Sequence, residues 1–270
     1  MLMFNHIKTI IKSNLIKWGI YEKYEYSLLH RMYIHINNPS FIKSQQQILL
    51  TNKKRILPNS LVFDIGANVG NKTDIYLKLG CKVISVEPDP KNVKILRRRF
   101  SQNKNFILVD QAVSDNEGIS QFYILDPGSA YNTLSEKWKN TLDANNSINI
   151  TSDQKKSDCI NITTTTLNTL INRFGRPDYI KIDVEGYEIQ VLRGLNNKIK
   201  LISFEANLPE FTQETIEIIL HLQEIDNQVK FNYVLSDTGD YVLAEWMDYI
   251  NFINLIQNTE IRYMEIYAKM

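Results

Sequence analysis

From residue 61 onward, short runs rich in Val, Ile and Phe alternate with amphipathic stretches of helical period, and this alternation constrains the fold more than any other feature. The apolar runs fall at 61–65, 82–86, 106–109, 179–182 and 200–204, and helical periodicity lies between them at 71–79, 90–100, 167–174 and 188–192. Runs of four or five apolar residues read as strands covered on both faces, and strand alternating with helix gives a parallel sheet. Asp89 before Pro90 and Thr166 before Leu167 supply cap chemistry at two helix starts. Further on, a helical stretch at 213–225 precedes an apolar run at 231–235, the turn Asp237-Thr238-Gly239-Asp240 and a second run at 241–246. Two runs around a glycine turn predict a hairpin whose last strand is reversed. The expected fold is therefore α/β and doubly wound, with a Rossmann-like, seven-stranded, mostly parallel sheet and one antiparallel strand near the C-terminus.

Two regions fall outside this alternation. Residues 1–59 read as a helical N-terminal extension ahead of a domain at 60–270. Within it, Ile7, Ile10, Ile11 and Leu15 with Lys8, Lys12 and Lys17 between them predict a basic amphipathic helix. It is expected to pack on the domain, with peripheral membrane contact as the alternative. The lysines break up any secretory leader, and no run of about 18 apolar residues suggests a membrane span. Residues 126–158, rich in Asn, Ser, Thr, Asp and Lys, predict a surface insertion of a length that commonly serves binding. A net charge of +1 argues against nucleic acid as a partner. Only two cysteines, Cys81 and Cys159, argue against a zinc cluster or disulfide framework and favour a reducing, cytoplasmic setting.

The chemistry concentrates at strand ends. Leu61-Val62-Phe63-Asp64-Ile65-Gly66-Ala67-Asn68-Val69-Gly70 runs from a buried strand into a glycine turn and then a helix. Gly66 and Gly70 permit a sharp turn and close approach of a ligand, and Asn68 tolerates the left-handed conformation where a further glycine might stand. Glu87-Pro88 ends the second strand, 17 positions after Gly70, where a carboxylate can accept hydrogen bonds from ribose hydroxyls. Asp110 and Gln111 end the third strand, within reach of an adenine edge. These features suit a dinucleotide or S-adenosylmethionine. Asp64 would repel a pyrophosphate but suits a cationic amino-acid portion, and the reversed last strand belongs to the methyltransferase form of the sheet. Ile180-Lys181-Ile182-Asp183-Val184-Glu185-Gly186 then places two carboxylates at the end of the fourth strand, and Glu205 ends the fifth.

Asp64-x-Gly66-Ala67-Asn68-x-Gly70, Glu87-Pro88, and 180–186 followed by Glu188-x-x-Val191-Leu192-x-Gly194 resemble the FkbM family of S-adenosylmethionine-dependent methyltransferases, over about residues 60–206. The resemblance implies O-methylation of a hydroxyl, often on a sugar, with cofactor contacts at Asp64, Gly66, Asn68, Gly70, Glu87 and Asp110. Ala67, Pro88 and Gln111 complete the expected cofactor set. Asp183, Glu185 and Glu205, in that order, are the candidates for the base that activates the acceptor hydroxyl. A divalent cation at these carboxylates is the alternative and is not the expected arrangement, so no metal ligand is assigned. An NAD-dependent sugar oxidoreductase and a non-catalytic methyltransferase-like binding protein are the rival readings.

Overall fold

The computed structural model describes residues 37–125, 128–144 and 158–270. The predicted helix at 1–20 and residues 126–127 and 145–157 of the predicted insertion lie outside them. The chain divides into two compact units, Met1–Gln47 and Ile48–Met270. Described residues of the first unit include the beginning of helix α1, Pro39–Arg55. No helix of the described residues is long and apolar enough to cross a membrane.

The second unit is built on a seven-stranded sheet of order β3-β2-β1-β7-β8-β10-β9. Its strands are β1 (Leu61–Ile65), β2 (Lys82–Val86), β3 (Phe106–Val109), β7 (Tyr179–Ile182), β8 (Leu201–Asn207), β9 (Lys230–Val234) and β10 (Tyr263–Lys269). The β1–β2, β2–β3, β1–β7 and β7–β8 pairs are parallel, and β10 runs antiparallel to both β8 and β9. The connecting helices are α2 (Asn71–Lys78), α3 (Pro90–Phe100), α4 (Glu136–Ala144), α5 (Leu167–Phe174), α6 (Glu188–Arg193), α7 (Thr212–Ile225) and α8 (Tyr249–Asn258). Asp89 and Thr166 cap α3 and α5, accepting hydrogen bonds from the Lys91 and Thr169 amides.

The reversed strand comes from a different segment than the sequence suggested. Residues 241–246 form no strand, and the expected hairpin reduces to paired hydrogen bonds between Phe231 and Met247 and one from the Val242 amide to the Tyr233 carbonyl. Asn232 takes the place of a ladder there, since its side chain both donates to and accepts from the Leu243 backbone. The chain then passes through α8 and returns as β10, inserted between β8 and β9. A second sheet was also unforeseen: β4 (Ala112–Val113), β5 (Gly118–Ile124) and β6 (Asp158–Thr165), in the order β4-β6-β5.

Period-two alternation divides the large sheet into two faces with different chemistry. Phe63, Ile65, Ile84, Ile180, Ile182, Ile202, Phe204 and Ile266 enter an apolar core with residues of α5, α6, α7 and α8. The opposite face carries Val62, Val83, Tyr179 and Tyr267 against Ile75 and Tyr76 of α2 and Ile48 of α1. Running through that second face is a row of polar residues in register: Ser85 beside Asp64, Asp64 beside Lys181, and Lys181 beside Ser203, all buried. Thr73 of α2 donates to Asp64 at 2.6 Å and lies 2.8 Å from the Ser85 hydroxyl. Ser203 donates to Glu265 at 2.7 Å and pairs with the Tyr179 hydroxyl at 2.6 Å. Buried polar groups must find partners, and here the neighbouring strands supply them.

The glycine turn after β1 is fixed by contact. Gly66 has φ 78° and packs so closely on the end of β7 that a Cβ there would lie 1.8 Å from the Asp183 carbonyl oxygen. Left-handed strain and backbone overlap act together in Gly66→Ala, which is expected to lower stability by about 3 kcal/mol or more in denaturant melts. A variant as stable as the wild type would show that this packing is not required.

Candidate active site

The turn between β1 and α2 is held by main-chain hydrogen bonds. The Gly66 and Ala67 amides both donate to the Val86 carbonyl at 3.0 Å. Asn68 takes φ 50°, the left-handed conformation its short amide side chain tolerates, and donates its own amide to Glu87 Oε2 at 2.7 Å. Glu87 Oε1 accepts the Asp89 amide at 2.9 Å. The Asn92 side chain also donates to this carboxylate, and since each oxygen offers about two acceptor directions, one remains for a ligand hydroxyl. Burial pushes the Glu87 carboxyl up to about 7, against the stabilising pull of these amides.

A cleft opens at the carboxyl edge of β1, β2 and β7. It is lined by Gly66, Asn68, Glu87, Pro88, Gln111, Asp183, Glu185 and Glu205, together with Ser129, Ala130, Asn132, Thr133 and Leu134. Four expected residues stand elsewhere. Asp64 is buried behind the turn, where burial raises its carboxyl and Lys181 and Thr73 oppose that shift. Ala67 packs with Leu96 and Phe100, and Gly70 lies so close to the same two side chains that a Cβ would overlap them. Asp110 is exposed and ion-paired with Arg97 at 2.7 Å.

The three carboxylates named from the sequence converge: one oxygen from each of Asp183, Glu185 and Glu205 lies within 4.8 Å of the others. Such spacing suits a shared proton or a cation. The Lys181 ammonium meets Asp183 Oδ2 at 2.5 Å, with the lysine side chain 3% exposed and the aspartate 30%. Burial alone would depress the lysine, but Asp183, Glu205, Glu265 and Asp64 outweigh it and raise it well above its ordinary value. Burial and the neighbouring Asp183 charge push Glu185 up to about 9 and Glu205 up to about 8. Glu205 Oε1 also accepts the Tyr263 hydroxyl at 2.8 Å.

Lys181 and Tyr263 were not singled out from the sequence. Lys181 lies within the 180–186 motif, and a lysine in an otherwise apolar strand is the signal the residues carry. Tyr263 carried none, because β10 was not foreseen. Asn92, in the first turn of α3, lines the cleft and is 1% exposed. Its side chain hydrogen-bonds to Glu87, and its Oδ1 is buried with no partner among the described residues.

The profile of the methyltransferase FkbM domain matches residues 64–234, beginning at the aspartate of the glycine turn and ending with β9. The chain belongs to the FkbM methyltransferase family. No curated protein sequence matches it. Similar solved structures include precorrin-6y C5,15-methyltransferase from Geobacter metallireducens GS-15, with 11% identity, TM-score 0.43, and 84% of this chain and 88% of that one covered. A TehB-like S-adenosylmethionine-dependent methyltransferase from Corynebacterium glutamicum has 9% identity, TM-score 0.41, and coverage of 83% and 86%. An O-methyltransferase from Klebsiella pneumoniae, described only provisionally as such, has 10% identity, TM-score 0.39, and coverage of 84% and 79%. The assignment rests on the family match, and FkbM membership makes S-adenosylmethionine the methyl donor.

The cleft of this FkbM protein fits that group. The Gly66 and Asn68 backbone borders the cleft, Glu87 keeps an acceptor direction, and the buried Asn92 Oδ1 beside it has no donor among the described residues.

The raised carboxyls carry a stability signature. Glu87, Glu188, Glu205 and Glu185 hold protons to about 7, 7, 8 and 9, against 4.5 for an ordinary glutamate. The native state therefore binds more protons than the unfolded chain between these limits, and stability falls as pH rises. Their contribution is complete below about 4.5 and is lost through the window up to about 9. Thermal melts from pH 5 to 9.5 are expected to show a falling midpoint, with Glu185→Gln flattening the fall above pH 7. A midpoint that rises across this range would contradict the burial argument.

Proposed function

We propose that this FkbM protein methylates an acceptor hydroxyl, most naturally that of a sugar or glycan. The observation that carries the reading is Asp183, tied through Oδ2 to a buried lysine and opening on the same cleft as Glu87. S-adenosylmethionine, when bound, supplies an electrophilic methyl group on a sulfonium. Glu87 would hold the ribose, the Gly66–Asn68 backbone would border the amino-acid portion, and Pro88, Gln111 and Asn92 would bound the base. Asp183 Oδ1 would take the proton of the acceptor hydroxyl, since an alcohol is a weak nucleophile and needs a base within hydrogen-bond reach. Glu185 and Glu205, which keep their protons at neutral pH, can each donate and accept. That dual capacity suits an acceptor with adjacent hydroxyl groups. Positioning of this kind can remove about 7–11 kcal/mol of barrier.

Titration calorimetry with S-adenosylhomocysteine tests the binding half. Glu87→Ala is expected to weaken affinity by roughly tenfold or more, the scale of a lost hydrogen bond to a charged group. Absence of binding by the wild type would remove the cofactor assignment. A screen of nucleotide sugars and oligosaccharides with isotopically labelled methyl donor tests the acceptor half. With an acceptor found, Asp183→Asn should abolish turnover and leave cofactor affinity nearly intact. A variant that loses cofactor affinity instead would place Asp183 in cofactor binding.

A further inference from the structure

The turn that carries Glu185 is held in an uncommon shape. Glu185 has φ 54° and Gly186 φ 81°, two successive residues in the left-handed region, and only the second is a glycine. For a glutamate this conformation costs on the order of 1 kcal/mol and persists only where surrounding contacts enforce it. Those contacts come from two sides. Glu188 Oε1, at the start of α6, accepts the Gly186 amide at 3.2 Å and the Val184 amide at 3.4 Å. On the other side the Thr133 hydroxyl donates to the Glu185 carbonyl at 2.8 Å, with the Val184 carbonyl a weaker second acceptor of the same proton at 3.3 Å.

Thr133 is 1% exposed and is itself immobilised. Its amide and carbonyl pair with Tyr123 of β5, and its hydroxyl accepts the Ser135 amide at 2.9 Å. The same short segment is also anchored to the cap of α3, where Asp89 Oδ2 accepts the Gly128 amide at 3.0 Å and the Asn132 side-chain amide at 2.8 Å. Asp89 in turn donates its own amide to Glu87. Residues 128–133 thus tie the Asp89–Glu87 group to the turn that carries Glu185. Trp138 continues the contact, since a Cβ on Gly186 would lie 3.1 Å from its Cβ and 2.9 Å from the Phe211 ring.

We propose that Thr133 is a positioning residue: its hydroxyl fixes the left-handed Glu185 turn and so presents the Glu185 carboxyl to the acceptor end of the cleft. The inference deepens the methyltransferase reading and rests on it for its catalytic meaning, while the conformational part stands on the chain alone. Part of the predicted surface insertion then shapes the acceptor end through the protein backbone, without touching the acceptor through this side chain.

Thr133→Val removes the hydroxyl and keeps the shape, and Thr133→Ser restores the hydroxyl. Hydrogen–deuterium exchange on the full-length protein, with no ligand added, reads the first consequence. Amides of residues 184–187 should exchange about tenfold faster in the valine variant and return close to wild type in the serine variant, the scale of one lost hydrogen bond. Unchanged exchange at 184–187 in the valine variant overturns the proposal. So does an increase spread evenly over the domain, which would mark a general structural role. Should the valine variant fail to fold, Thr133→Ala is read in the same way against Thr133→Ser. The second consequence is kinetic: with an acceptor in hand, the valine variant should lose kcat while S-adenosylhomocysteine affinity stays within about twofold of wild type, and serine should rescue kcat. Equal losses in cofactor affinity and kcat overturn the positioning role. Failure of the wild type to bind S-adenosylhomocysteine would remove the methyltransferase reading and leave the exchange result to stand separately.

Discussion

The ammonium of Lys181 lies where four strands bring carboxylates together: Asp64 in β1, Asp183 just past β7, Glu205 in β8 and Glu265 in β10 all act on it. A buried cation costs several kcal/mol in lost hydration, and so does each buried carboxylate, so neither could persist here without the other. The pair to Asp183 is the closest of these contacts and joins the interior to the cleft, since the lysine is almost wholly enclosed and the aspartate is not. Around it, Thr73, Ser85, Ser203 and Tyr179 complete a hydrogen-bonded layer on one face of the sheet, while the other face is apolar. The architecture depends on this arrangement. A slip of one residue in any of these strands would turn its polar row into the apolar core.

The late insertion of β10 is what closes that layer. Because β10 enters between β8 and β9, Glu265 stands in register with Glu205, and Tyr263 reaches the Glu205 carboxyl. A hairpin at 231–246 would have left Glu205 without its tyrosine and Ser203 without its acceptor. The physical reason for the difference is visible at Asn232, whose amide side chain occupies the bonding positions that a paired strand would need.

Much of the site was legible in the residues. Glycines at 66 and 70, asparagine at 68 and glutamate at 87 announce a ligand turn because few other residue types take those conformations or end a buried strand with a charge. Asp183 and Glu185 follow one strand and Glu205 ends the next, and they form a group because neighbouring strand ends of a parallel sheet share one edge. Asp64, Ala67, Gly70 and Asp110 were equally plausible from spacing, yet they turn away from the cleft or pair elsewhere. Sequence spacing places a residue at a strand end, but the facing of its side chain depends on neighbours that are distant in the chain.

The parallel sheet, the glycine turn, the capped helices and the residue types gathered at the carboxyl edge can be read from the residues alone, because each follows from local period, backbone freedom or short-range hydrogen bonding. Which carboxylate meets the buried lysine, which strand is reversed, and how Thr133 meets the turn at Glu185, 52 positions away, depend on the folded packing. These are contacts between segments far apart in the chain, and their strength comes from burial and from the low local dielectric that packing creates. No local pattern encodes either.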